Sequence, residues 1–313
     1  MKVHTNIHDL PVFRNAVITI GTFDGVHTGH RQIISQLQAE AAAIDGETVL
    51  ITFHPHPKMV VPSSRHEIRI LNTPEEKNAL LEQLGIDHLV VVPFTTAFAA
   101  QNARDYISNF LVASFHPHTI IIGYDHRFGK DRTGDYHFLE EEAAANHYTV
   151  KEIPEHVLKN VTISSTKIRE ALLQADIVTA NEFLGYDYFF SGKVIKGNKL
   201  GRTIGYPTAN LQIGDEHKLV PGNGVYAVAV ELKAGAANRK LQGMMNIGVR
   251  PTVGGTARMV EVNIFDFDEM IYGETLKVTV KKHLRNEVKF NGLEALKSQL
   301  SLDKQNAIAA LGS

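Results

Sequence analysis

Residues 17–34 read VITIGTFDGVHTGHRQII, an apolar run that stops at Gly21 and is followed by a turn, His27-x-Gly29-His30, opening an amphipathic stretch. The run before Gly21 predicts a buried strand, and the apolar residues spaced three and four apart after the turn predict a helix. The first N–H groups of a helix have no internal partner and carry the positive end of its dipole, so the turn is a place where phosphates settle. Gly21, Gly25 and Gly29 let the backbone come close to such a ligand, and two imidazoles three residues apart add donors on the same side.

The pattern repeats outward from this stretch. From Ala16 to about Leu173, short apolar runs (AVITIG, ETVLITF, HLVVVPF, HTIIIGY, YTVKEIP) alternate with amphipathic stretches such as TPEEKNALLEQLG, ARDYISNFLVAS and EEEAAAN. Alternation of this kind predicts an α/β domain, a Rossmann-like parallel sheet covered by helices on both faces, with ligands beyond the carboxyl ends of the strands, where Gly21 and Gly123 fall. After a predicted helix at Ile177 to Leu184 the character changes: FFSGKVI, GVYAVAV, KLQGMMNIGV, MVEVNIF and LKVTVKKHL are strand-like runs broken by Gly, Pro and Asn, with no helix expected before about Gly292. These predict an antiparallel β-barrel of about six strands closed by a C-terminal helix, Leu293 to about Leu311. The expected domains are 1–185 and 186–313, two cores of ordinary size in a chain of 313 residues.

Composition narrows the classes of function. With 32 basic and 34 acidic side chains the net charge is close to zero, so an anion site must be local and neither a nucleic-acid nor a membrane partner is expected. The chain has no cysteine, which excludes disulfides, Fe–S clusters and thiol catalysis. MKVHTNIHDL lacks the residue order of a secretory signal and no apolar run has membrane-spanning length, so a cytoplasmic location is expected. The 16 histidines, with His54-Pro-His56-Pro, invite a zinc reading, but there is no Cys and no HExxH, and HPHP fits a rigid turn. No GxGxxG follows the first strand, which disfavours a dinucleotide oxidoreductase; a flavin-storing protein remains a separate class that turnover of ATP would distinguish.

A second phosphate-suited segment, Gly197-Asn-Lys-Leu-Gly201-Arg202-Thr-Ile-Gly-Tyr-Pro207-Thr208-Ala-Asn210, lies in the β-rich half. On an extended strand positions 208 and 210 face the same way, so Thr208 and Asn210 present two neutral oxygens suited to Mg²⁺ beside ATP phosphates. No GxxxxGK[ST] occurs, so the chain is not a P-loop protein.

GTFDGVHTGH resembles the HxGH signature of nucleotidyltransferases that move AMP from ATP, in particular their flavin-adenylylating branch. Gly123-Tyr-Asp125-His-Arg127-Phe-Gly-Lys-Asp-Arg-Thr-Gly-Asp135 and Ile163-Ser164-Ser165-Thr166-Lys-Ile-Arg169 extend the likeness. The second segment resembles PTAN of riboflavin kinases, and the likeness continues through Gly224-Val-Tyr-Ala, Asn246-Ile-Gly-Val-Arg-Pro-Thr252, Val260-Glu261-Val and Leu284-Arg285. Taken in order, the motifs resemble the bacterial bifunctional riboflavin kinase and FAD synthetase family.

The resemblance implies two reactions on one chain, riboflavin and ATP giving FMN, then FMN and ATP giving FAD and pyrophosphate. It implies small-molecule partners; a weak homo-oligomer is compatible with the sequence, which gives no oligomeric state. Glu261 is implied as general base for the ribityl hydroxyl, since an alkanol is a poor nucleophile at neutral pH. VEVNIF also alternates as a solvent-facing strand would, and that alternative stays open. An FMN phosphate is already anionic, so adenylyl transfer needs alignment and charge stabilisation rather than a base. His27 and His30 are implied in that role, with Gly21, Phe23, Asp24, Gly29, Asp125, Arg127, Ser164, Ser165, Thr166 and Arg169 around the nucleotide. The hydroxyls of 164–166 and the carboxylates of Asp125 and Asp135 serve equally as caps. Gly201, Arg202, Pro207 and Arg285 are implied to bind nucleotide or flavin in the kinase half, with Thr208 and Asn210 holding Mg²⁺; Arg285 and Phe290 lie near the flavin or else close the barrel, and Lys199 and Arg202 belong to a flap over the nucleotide or else solvate a loop. His126 stands where the family more often has an aromatic residue.

Overall fold

The computed structural model describes residues 1–61, 68–153, 163–197, 200–234, 237–252 and 255–312. It divides into two compact units, Met1–Ser165 and Thr166–Ser313.

In the first unit, the VITI run forms β2 (Val17–Ile20), every residue of it buried. It lies between β3 (Thr48–His54) and β5 (Thr119–Gly123) in a sheet ordered β1-β4-β3-β2-β5-β6, with β1 at Lys2–His4, β4 at His88–Pro93 and β6 at Thr149–Ile153. All of its pairings are parallel. The chain runs outward from β2 through β3 to β4 and then crosses back to β5, so the direction of winding reverses between β2 and β5. A crevice opens at such a switch point beyond the carboxyl ends of the strands, and Gly21 and Gly123 stand there as expected. The unit's main helices are α1 (Thr28–Ala43), α2 (Pro74–Gln83) and α3 (Tyr136–Asn146). The sequence reading had no strand at β1, a three-residue edge too short to show a period. The ARDYISNFLVAS stretch is helical, but its centre, Tyr106–Val112, is π-helical.

In the second unit, α4 (Ser165–Leu173) and α5 (Ile177–Leu184) precede a closed barrel ordered β10-β11-β8-β7-β12-β9. Its strands are β7 (Phe189–Ile195), β8 (Ala209–Ile213), β9 (Gly224–Ala234), β10 (Ala237–Thr252), β11 (Gly255–Ile264) and β12 (Thr275–Arg285), all antiparallel. Val228, Val230, Leu232, Met245, Ile247, Val262, Val278 and Val280 are fully buried at alternate positions and fill the interior. α6 (Leu293–Leu311) packs its buried Ala307 with Ala227, Met244 and Phe265, residues of opposite parity or beyond the strand end, so it covers the outer face. The barrel half is not free of helix before residue 292 as the sequence reading had it, because Leu200–Thr203 makes one helical turn.

Candidate active sites

After β2 the chain turns sharply. Phe23, Gly25 and Val26 have φ of 46°, 89° and 36°, and for phenylalanine and the β-branched valine this conformation costs on the order of 1–3 kcal/mol each. Such a loop persists only where its surroundings fix it. The Asp24 carboxylate is buried and accepts from the Leu71 and Asn72 backbone N–H groups at 2.9 and 3.2 Å, so it holds the loop from within. Its carbonyl accepts from the Ser165 hydroxyl at 2.9 Å. Gly21 N–H still bonds Ile51 and so extends the strand ladder.

His27 is the N-cap of α1, its Nδ1 accepting from His30 N–H at 3.4 Å, and the two rings stack at 3.6 Å between centroids. Gly29 sits close under the His27 ring, and Phe23 packs on His30 at 4.9 Å. Burial, then the charges of His27 and Lys77, keep His30 well below the ordinary imidazole range, so it is neutral at pH 7. Its Nδ1 is buried without a partner among the described residues. A neutral imidazole with an unspent nitrogen at a helix N-terminus is equipped to hydrogen-bond an anion without titrating.

Asp135 caps α3 by accepting from Phe138 N–H, and its carboxylate pairs with Arg127 at 3.5 Å, so the capping alternative describes it. Ser165 bonds the loop rather than a helix end. Asp125 and Arg127 are exposed on the segment after β5. Ser164 is exposed ahead of α4, while Thr166 and Arg169 lie within that helix in the second unit. His126 lies 6.0 Å from Phe128, keeps an aromatic contact despite the substitution, and carries a buried Nε2 without a partner among the described residues. Burial lowers it to about 4.

The sequence reading missed an aromatic wall that runs from the end of β3, over the mostly helical residues that follow β4, to the segment after β5. Phe53, Phe94, Phe98, Tyr106 and Phe128 follow one another with centroid separations of 5.4, 5.6, 5.9 and 5.0 Å, the last pair near parallel. Phe53, Phe94 and Phe98 are only partly buried. Their positions just past apolar runs were visible, but nothing in the spacing joined four separate segments.

In the barrel unit, one row of paired residues crosses five strands: Arg285 beside Val225, Val225 beside Asn246, Asn246 beside Glu261, and Glu261 beside Asn210. All five line a single cavity of about 350 Å³, completed by Thr208, Asn263, Phe290, Leu300 and Asp303 among others. Paired residues share a face, and the parity opposite to buried Val260 and Val262 puts Glu261 and Asn263 outside the barrel wall, toward α6. The alternation of VEVNIF is therefore real, and the face it turns outward is the lining of the cavity.

Asn210 is 5% exposed and its Oδ1 has no hydrogen-bond partner among the described residues. A buried oxygen in that condition is costly unless a ligand meets it. Thr208 stands just before β8, so the pair is not wholly on a strand, yet both side chains line the same cavity. Two neutral oxygens beside a carboxylate suit a hard divalent cation. Gly197 faces the Asn210 amide so closely that any Cβ there would overlap it. Asn263 Nδ2 donates to the Pro207 carbonyl at 2.7 Å and ties the PTAN segment to β11.

A second cavity of about 350 Å³ is lined by Arg202, Pro207, Thr208, Phe267 and Tyr272 among others, so Thr208 borders both cavities. Gly201 lines only the first. Arg285 is not open to a ligand phosphate in this arrangement: Nε and Nη2 bond Asp303, and Nη1 bonds the Asn286 carbonyl. Its plane lies 5.6 Å from the Phe290 ring. Lys199 lies outside the described residues.

A doubly wound sheet with a helix-start anion site at its switch point, joined to a barrel whose wall carries a carboxylate beside cation-suited oxygens, defines a two-site nucleotide-dependent transferase. Residues 10–167 match the FAD synthetase family and residues 184–311 the riboflavin kinase family. The bifunctional riboflavin kinase/FMN adenylyltransferase of Escherichia coli (strain K12) is 35% identical over 309 residues, 98% of this chain and 97% of that protein. The same-named protein of Listeria monocytogenes is 36% identical over 296 residues, covering 94% and 92%. The chain belongs to the bifunctional riboflavin kinase/FMN adenylyltransferase family. A crystal structure from Streptococcus pneumoniae described as a macrolide-efflux protein superimposes with a TM-score of 0.86 at 30% identity, covering 98% of both chains. Among the described residues no helix is long and apolar enough to cross a membrane.

Proposed function

We propose that the barrel phosphorylates riboflavin and that the parallel-sheet unit adenylylates the FMN so formed, with the functional boundary between residues 185 and 186. The observation that carries this reading is the register pair Glu261 and Asn210, which sets a carboxylate beside an unpartnered buried amide oxygen in one cavity. In the kinase step Glu261 accepts the proton of the terminal ribityl hydroxyl as that oxygen bonds the γ-phosphorus, and the bond from γ-phosphorus to the bridging oxygen breaks to release ADP. Thr208 and Asn210 hold Mg²⁺, which when bound neutralises charge on the ATP phosphates. Riboflavin occupies the cavity under α6 and ATP the neighbouring one, with Thr208 at their junction. Asn263 keeps Pro207 and thereby Thr208 in place.

In the second step a phosphate oxygen of FMN bonds the α-phosphorus of ATP and pyrophosphate departs. His27, His30 and the first amides of α1 stabilise charge there, with the hydroxyls of Ser164 and Ser165 contributing to the nucleotide. The aromatic wall from Phe53 to Phe128 takes the isoalloxazine ring. ATP supply places both steps in the cytoplasm.

Incubating the protein with riboflavin, ATP and Mg²⁺ and separating the flavins over time tests the reading. FMN followed by FAD is expected. FMN alone would leave the first unit without its proposed reaction, and no conversion of riboflavin, with none of supplied FMN, would overturn both assignments.

A further inference from the structure

A lysine remote from every quoted motif is tied into the strained loop after β2. Lys77 lies on α2, is partly buried, and its Nζ donates to the Thr22 carbonyl at 3.1 Å and to the Thr52 hydroxyl at 3.0 Å. Thr52, wholly buried on β3, donates its own hydroxyl hydrogen bond to the same Thr22 carbonyl at 3.1 Å. The connection between helix and loop runs both ways. The cation on α2 grips a carbonyl of the loop, while the anion of the loop, Asp24, grips the Leu71 and Asn72 amides ahead of α2. Phe23 stands between these two anchors, and Gly25 and Val26 follow the second, all three with positive φ. Beyond them come His27 and His30, one capping α1 and the other walled by Phe23.

We propose that Lys77, acting through Thr22 and Thr52, is a positioning residue for adenylyl transfer: it holds the loop in the conformation that aims His27 and His30. The inference rests on the reading of this unit as the adenylylating one. Neutral donors could satisfy Thr22 equally well, but a lysine also offsets the buried Asp24 carboxylate and adds to burial and His27 in disfavouring a proton on His30. Facing Lys77 are the Asp24 carboxylate from the loop and the neutral His30 imidazole from α1. Removing the ammonium leaves Thr22 held by the Thr52 hydroxyl alone, lets the positive-φ residues relax, and displaces the histidines from the reacting phosphorus. Displacement by about 1 Å at a reacting centre costs ~100-fold in rate.

Lys77→Met keeps the length and packing of the stem and deletes the charge. Expected is a fall of ~100-fold in kcat for FAD formation from FMN and ATP, with KM for both substrates within ~3-fold of the parent, because an interaction felt in the transition state is lost. Riboflavin phosphorylation, measured on the same sample, should be unchanged. An unaltered kcat, a loss confined to KM, or an equal loss in both reactions would overturn the proposal. Thr52→Val is isosteric and removes only the hydroxyl that relays between Lys77 and Thr22. It should lower the same kcat ~10-fold, and should Lys77→Met not accumulate as folded protein, an unchanged kcat in Thr52→Val would overturn the proposal by itself. If the parent chain makes no FAD from supplied FMN, the functional reading fails, not the positioning.

Discussion

Arg285 and Asp303 form a closed two-bond fork, Nε to Oδ1 at 2.8 Å and Nη2 to Oδ2 at 2.6 Å, with Asp303 1% exposed and also accepting from Gln299. A guanidinium and a carboxylate meeting in this way fix both partners, here the end of β12 and the middle of α6. Both line the proposed riboflavin cavity, so the fork sets the distance between the barrel wall and the helix that covers it.

Deleting one partner of a buried pair leaves an uncompensated charge. Asp303→Ala should therefore destabilise the barrel unit by about 3 kcal/mol and raise KM for riboflavin, whereas KM for FMN in adenylylation should hold. Urea unfolding with both assays checks this; equal changes in the two KM values would contradict it.

The proposed division of labour predicts opposite single losses. Glu261→Gln should lower riboflavin phosphorylation by ~10²–10⁴ while FAD still forms from supplied FMN. His27→Ala should do the reverse. A variant that impaired both reactions alike would argue against separate sites.

Asn210→Leu fills the same volume without an oxygen. It should abolish the Mg²⁺ dependence of nucleotide binding in the barrel and with it phosphorylation, and chelation of divalent cations should stop the parent in the same way. Calorimetric titration of ATP with and without Mg²⁺ on the two chains is the deciding measurement. A Mg²⁺ response undiminished in Asn210→Leu would remove this residue from the cation site.

Two depressed pKa values give the first unit a defined response to pH. Burial holds His126 at about 4 and Lys77 at about 8, against 6.5 and 10.5 for the ordinary groups. In both cases the unfolded chain binds the extra proton, so stability rises with pH across each window. For His126 the contribution is complete above 6.5 and is lost as pH falls toward about 4. For Lys77 it grows between about 8 and 10.5. His126→Phe should flatten the acid limb of the urea midpoint against pH; an unchanged limb would assign that limb to other groups.

Much of this architecture was legible beforehand, for identifiable reasons. β2, β7 and α6 announce themselves because burial on two faces, alternation and a 3.6-residue period are strong local signals. The pairing of Glu261 with Asn210 was not legible, since register depends on strands 51 residues apart in the chain, 261 less 210, finding one another. Lys77 was hidden for a different reason. In PEEKNALLEQ it looks like any solvated helix lysine, and only the approach of Thr22 and Thr52 from two strand ends turns its ammonium inward. The ion pair of Arg285 was hidden for the same reason, because Asp303 takes its donors from 18 residues further on.

The row from Arg285 to Asn210 also says which changes of length the barrel half can survive. Its five members come from five strands, so their assembly depends on the ladder count in each strand and not on any loop. An inserted or deleted residue within β10 or β11 would turn Asn246 or Glu261 to the interior and bring a valine or isoleucine into the cavity in its place. The connections between strands face no such rule. Lineages of this chain should accordingly vary in the length of their turns while holding the spacing of these strand segments constant, and engineered insertions should be placed by the same criterion.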